Sequence, residues 1–130
     1  MQHIASFSPS SAEKILQGDK THEIRYSLKK TAPFGVVSSR DLVYIKPVGK
    51  EIIGQFKVKK VIFIDAPQTS DLAKIKQEFE DQVLEDTRFW KELESAKYLT
   101  IIFISEVSRF ISSPISFKKR VLNWVVLDKA

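Results

Sequence analysis

Between Ile52 and Ile64 apolar and polar residues alternate for longer than an ordinary strand needs, and the alternation breaks once. Phe56 and Val58 fall on one face and Gln55, Lys57 and Lys59 on the other, until the pattern slips at Lys60-Val61. One extra residue at such a point sends every later side chain to the opposite face, which bends the strand and lets a sheet curl. Closure of a sheet toward a barrel is the architecture this run points to.

The remaining segments fit around such a sheet. His3 to Phe7 reads as a short first strand, and Ser8-Pro9 starts a helix, with a serine oxygen for the free amides and proline at the first helical position. Ala12, Ile15 and Leu16 share one face of that helix, and Gly18 stands where a left-handed cap ends it. Thr21 to Ser27 alternates, so Glu23 and Arg25 project together, away from Ile24. A basic loop, Leu28 to Arg40, leads to a strand over Asp41 to Lys46, and Pro47-Val48-Gly49-Lys50 makes a turn.

From Asp71 to Glu94 the period becomes helical, with Leu72, Ile75, Phe79, Val83, Trp90 and Leu93 on one stripe and a break near Asp86-Thr87. This acidic helical insert, about 68–96, is expected to cover the barrel. Tyr98 to Ile104 and Val121 to Leu127 are apolar runs suited to the buried middle of a sheet.

At 130 residues, with 43% hydrophobic and 28% charged residues, the chain has globular proportions and is expected to form one domain over 1–130. The absence of cysteine removes disulfides and thiolate metal sites, and His3 and His22 alone cannot complete a zinc site, so neither metal nor cofactor is expected. Met1 to Phe7 lacks the basic start and apolar core of a signal peptide, and no apolar run has bilayer-spanning length. A cytoplasmic protein without a membrane partner is expected. The net charge of +5 is unevenly spread: residues 1–60 hold 11 Lys/Arg against 5 Asp/Glu, residues 61–97 hold 5 against 9, and residues 98–130 hold 5 against 2.

Gly18-Asp19-Lys20-Thr21-His22-Glu23-Ile24-Arg25, following a short capped helix, resembles the Gly-x-Lys-x-x-Glu-x-Arg signature of ASCH domains. The strand around Val43-Tyr44-Ile45, the segment Ile52 to Val58, the run Tyr98 to Ile104 and a closing strand with Trp124 follow in family-like order; the acidic helical segment has no specific match. The resemblance implies an α+β, PUA-like open β-barrel of about five to six strands with a short N-terminal helix. It also implies a cleft at the end of that helix for RNA or a nucleotide-like ligand. Carried over residue by residue, Lys20, Glu23 and Arg25 would line the cleft, joined by Tyr44 and Lys46 from the neighbouring strand. Their chemistry suits the role: lysine offers a compact charge for phosphate, arginine a planar fork, glutamate an acceptor for a base amino group, and tyrosine a stacking surface. Against this stands the plain alternative that Glu23 and Arg25 form a same-face ion pair worth about 0–1 kcal/mol if exposed.

One branch of the superfamily resembles amidohydrolases acting on an acetylated cytidine through a lysine and a threonine. Lys20 matches that lysine, whereas Glu23 occupies the threonine position, so the nucleophile is missing. A hydrolase or ribonuclease using Lys20 as base and Glu23 in acid–base work is therefore the alternative to a binding module. A docking domain for another protein would need an exposed apolar patch, which periodicity cannot reveal. Lys118-Lys119-Arg120 is either a phosphate-contacting patch or a solvated turn, and Trp90 and Trp124 are expected in the core. His22 points away from Glu23 and cannot converge with it on one atom. Four scattered glycines form no phosphate loop, which argues against triphosphate chemistry.

Overall fold

In the computed structural model, which describes residues 1–127, the order is β1 (Gln2–Phe7), α1 (Pro9–Leu16), β2 (His22–Ser27), β3 (Leu42–Pro47), β4 (Gly54–Asp65), α2 (Thr69–Val83), α3 (Thr87–Glu92), β5 (Tyr98–Arg109) and β6 (Trp124–Leu127). The strands form one sheet in the order β2-β5-β4-β3-β1-β6, with β1 parallel to β3 and every other pair antiparallel. Among the described residues no helix is long and apolar enough to cross a membrane.

The break in the alternation of β4 is visible as two register shifts against β5, between Gln55 and Lys57 and between Val58 and Lys60. Before the second shift Phe56 and Val58 enter the barrel core with Ile45 and Ile102. After it the odd residue Val61 faces that core, while Ile62 and Ile64 face the opposite side. The flip bends β4 across the sheet. At its start Gly54 meets β5 closely: a Cβ there would lie 2.6 Å from the Ser108 carbonyl oxygen and 2.7 Å from Leu16 Cδ2.

The inside of the curl is closed by α1. Ser8 accepts the Ser11 amide at 3.1 Å, Pro9 opens the helix, and Gly18 at φ +84° turns the chain out of it. Ala12 and Ile15 thereby reach Phe7, Val43 and Phe56. On the outside, α2 and α3 lay Ile75, Phe79, Val83 and Trp90 over Ile24, Leu99 and Ile101. β5 is thus covered on both faces, which explains why Tyr98 to Ile104 shows no alternation. The break between the helices falls at Leu84, in the left-handed region at φ +52°, and Asp86 then accepts the Phe89 amide at 2.9 Å to start α3.

A third apolar cluster lies on the outer face of β1 and β3, where Ile4, Tyr44 and Ile52 are roofed by Val121, Phe110, Ile115 and Phe117. Here the expectation for the last strand is corrected. Val121 belongs to this roof, the strand begins only at Trp124, and β6 is the edge of the sheet instead of its buried middle. An apolar run cannot by itself distinguish a strand from a loop that covers a sheet.

The two edges face each other across the open side. From β2, Arg25 donates through Nη2 to the Ser6 carbonyl on β1 at 2.6 Å and through Nη1 to Asn123 Oδ1, just before β6, at 2.7 Å. The result is a six-stranded half-barrel fastened by one side chain.

Candidate functional site

Beside this fastening is a cavity of about 330 Å³, walled by Ser8 and Ser11 at the start of α1, Glu23 and Arg25 on β2, Glu85 before α3, and Asn123 before β6. Strand alternation places Glu23 and Arg25 on its side of β2 while Ile24 packs beneath the helices. Tyr26 and Phe89 add aromatic edges, their rings 5.7 Å apart.

The floor is a chain of buried charges. Lys20 has no exposed side-chain surface; its Nζ is 3.1 Å from Glu23 Oε1 and 3.5 Å from Glu85 Oε2, and it donates to the Val83 carbonyl, a free acceptor at the end of α2. Glu23 Oε2 accepts from Arg25 Nε at 2.8 Å. Burial alone would raise the Glu23 carboxyl, but attraction and hydrogen bonds from Lys20 and Arg25 outweigh it and hold it below its ordinary value. Glu85 goes the other way: burial, with repulsion from Glu23 and Asp86, raises its carboxyl against the pull of Lys20. Two carboxylates that share one lysine therefore titrate in opposite directions. Glu23 thus divides its two oxygens between two cations, Oε1 toward Lys20 and Oε2 toward Arg25.

Arg25 is held on every side. Its guanidinium lies 4.7 Å from the Phe7 ring centre and 5.5 Å from that of Trp124. Trp124 is in turn fixed by its indole N–H, which donates to His3 Nδ1 at 3.0 Å, while His3 Nε2 is 2.7 Å from Asp41 Oδ2. An indole nitrogen only donates, so Nδ1 is the acceptor and the imidazole proton faces Asp41. Burial works to raise the Asp41 carboxyl, yet the bonds from His3 and the Ser38 amide bring it below its ordinary value.

Of the five side chains expected at the cleft, Glu23 and Arg25 form its wall, and Lys20 lies behind them, sealed from solvent. Tyr44 and Lys46 lie elsewhere, because β3 is separated from β2 by β5 and β4 in the sheet instead of adjoining it. Tyr44 is 7% exposed and packs in the outer cluster 6.3 Å from Phe110, and Lys46 borders a different cavity. Trp124, expected as core, is half-buried and touches Arg25. Glu85 was not singled out by sequence; its only signal was its place at the break between two helices. The His3–Asp41–Trp124 chain had none, since its members meet only through strand pairing. His22, bonded to Thr21 Oγ1 at 2.9 Å, stacks between Phe79 and Phe103 outside the cavity. Among the described residues no group of three His, Asp or Glu is placed to hold a metal ion.

No protein-family model matches the sequence, and no curated protein matches it. Solved structures do. The ASCH protein of Zymomonas mobilis superposes with a TM-score of 0.75 at 14% identity, over 98% of this chain and 88% of that one. Two single-residue variants of that protein give 0.76 at 14% identity, over 98% of this chain and 89% and 91% of theirs. A hypothetical protein gives 0.55 at 16% identity, over 85% of this chain and 100% of its own. The α+β, PUA-like ASCH fold expected from the signature is the fold observed.

Proposed function

From an ASCH fold as premise, we propose that this protein is a nucleotide-binding module whose partner is RNA, and that the cavity between α1, β2 and β6 takes one nucleotide of it. The observation that carries this reading is the convergence of Glu23, Arg25 and Glu85 on one small cleft, backed by the buried Lys20, with carboxyls displaced in opposite directions. A fold needs no such cluster for stability, and ionisable groups gather this way at sites of recognition or chemistry. The cavity volume, about 330 Å³, is at the low end of small-molecule sites, which suits one base with its sugar and excludes a duplex. The Glu23 carboxylate at the wall is the acceptor for an N–H of a base, and the serine hydroxyls at the positive end of α1 suit a phosphate. Arg25 shapes the wall more than it anchors the ligand, because its donors are already engaged.

The test is fluorescence anisotropy with labelled single-stranded RNA over a salt series. Glu23→Gln keeps the side chain's shape, and it is expected to weaken binding about tenfold or more through the loss of a charged acceptor. Folded Glu23→Gln and Arg25→Ala proteins that bind as the native protein does would rule this cleft out.

A second reading, a hydrolase acting on a modified nucleoside or on RNA, has one observation in its favour. The Glu85 carboxyl stands at the cleft wall with its pKa raised by burial, which suits it to carry a proton for general acid catalysis. Cleavage of the RNA probe, or release of acetate from acetylated cytidine, that disappears in Glu85→Gln would establish it.

A further inference from the structure

A second cavity, of about 740 Å³, is lined by Lys46 at the end of β3, Lys50 in the following turn, and Lys118, Lys119 and Arg120 before β6, against the single acid Glu51. None of the five cations forms an ion pair with a described carboxylate, whereas Arg25, Arg88 and Arg109 each have one. Ser112, Ser113 and Ser116 add hydroxyls to the same wall. Five like charges around a concavity repel one another, and among the residues lining it only Glu51 works against that repulsion. A polyanion would.

The place of this cavity relative to the cleft is set by the chain. Arg120 borders the basic cavity and Asn123 borders the cleft, so two intervening residues, at most about 11 Å of extended chain from Arg120 to Asn123, separate the two rims. On the other side Ser6 borders the cleft and is the strand partner of Lys46 in the β1–β3 pairing. Leu122, 81% exposed, stands on the divide.

We propose that the Lys46–Lys50–Lys118–Lys119–Arg120 cavity is a second binding site, which grips the phosphate backbone of the same single-stranded RNA that places a nucleotide in the cleft. The inference rests on the reading of the cleft given above and adds direction to it: the strand leaves the cleft past Asn123, crosses the segment 121–123 and enters the basic cavity. The two sites divide the work, with the cleft holding one nucleotide and the cavity fixing the path of its neighbours without regard to sequence.

The experiment measures anisotropy for a twelve-nucleotide and a two-nucleotide RNA over a salt series, with native protein, Arg25→Ala, and a triple variant Lys118→Ala, Lys119→Ala, Arg120→Ala whose fold is checked by circular dichroism. The expected result is a loss of at least tenfold for the long RNA in the triple variant, with its salt slope shallower by about 2, since each phosphate contact on a single strand contributes about 0.7. The short RNA is expected to bind the triple variant as it binds the native protein. Long-RNA affinity and slope unchanged in the triple variant, with Arg25→Ala still defective, would overturn the basic site and leave the cleft standing. A defect in the triple variant alone would keep the basic site and overturn the cleft. Native protein that binds neither RNA would overturn both.

Discussion

Lys20 lies behind the cleft wall instead of in it. It is sealed from water, it holds two carboxylates, and it occupies a carbonyl at the end of α2. Removing one partner from a buried ionic group typically costs about 3–5 kcal/mol, because the charges left behind stay desolvated. Lys20→Met is therefore expected to lower unfolding free energy in urea by about that amount, and a loss under about 1 kcal/mol would mean that the cluster is hydrated. The carboxylates give opposite pH signatures. Glu23 has a folded pKa below its ordinary 4.5, so its contribution is complete above that value and is lost as pH falls through the lower folded one. Glu85 has a folded pKa above 4.5, so it favours the folded state at low pH, and that contribution is lost as pH rises through the folded value. Glu85→Gln is expected to raise the melting temperature near neutral pH, with the gain vanishing below pH 4.5; an equal gain at both ends would assign the effect to something other than its charge. From sequence, the facing of Glu23 and Arg25 was legible because it follows from strand alternation. The burial of Lys20 was not, since it depends on where a helix sixty residues downstream ends.

Elements were legible where one period governed them. The capped α1, the stripe of α2 and α3 with its break, and the slip in β4 all express a local rule. β6 and the loop before it did not, because Val121, Ile115 and Phe117 are apolar for the sake of a roof over β1 and β3, and such a loop has no period. Tyr44 and Lys46, which the resemblance set on a strand neighbouring β2, stand on β3, and β5 and β4 come between the two strands, a separation that no local pattern conveys. The bulge in β4 makes a test at this scale. Gly54→Ala would push a methyl into the Ser108 carbonyl and Leu16, where backbone has to move, and a loss of about 1–3 kcal/mol in chemical denaturation is expected. A neutral substitution would show that β4 and β5 yield at that point. Trp90→Ala, which empties the space between α3 and the sheet, is expected to cost about 3–5 kcal/mol by the same measurement.

At the scale of the molecule, the basic residues of the first half and of the segment before β6 meet around one cavity, where Lys46 and Lys50 join Lys118, Lys119 and Arg120. What the sequence could not convey is that the first and last strands of the chain, β1 and β6, pair with each other, in a register that sets Gln2 against Leu127 and Ala5 against Trp124. The cleft needs residues from both ends of that span, Ser8 from one and Asn123 from the other. During synthesis, β1 and β3 can pair long before β6 exists, and the roof over Ile4, Tyr44 and Ile52 is missing until residue 121 has emerged. A nascent chain stalled short of Trp124 would hold β1 paired with β3 while the cavity still lacks its Asn123 wall, so the cavity forms only after the strands that frame it.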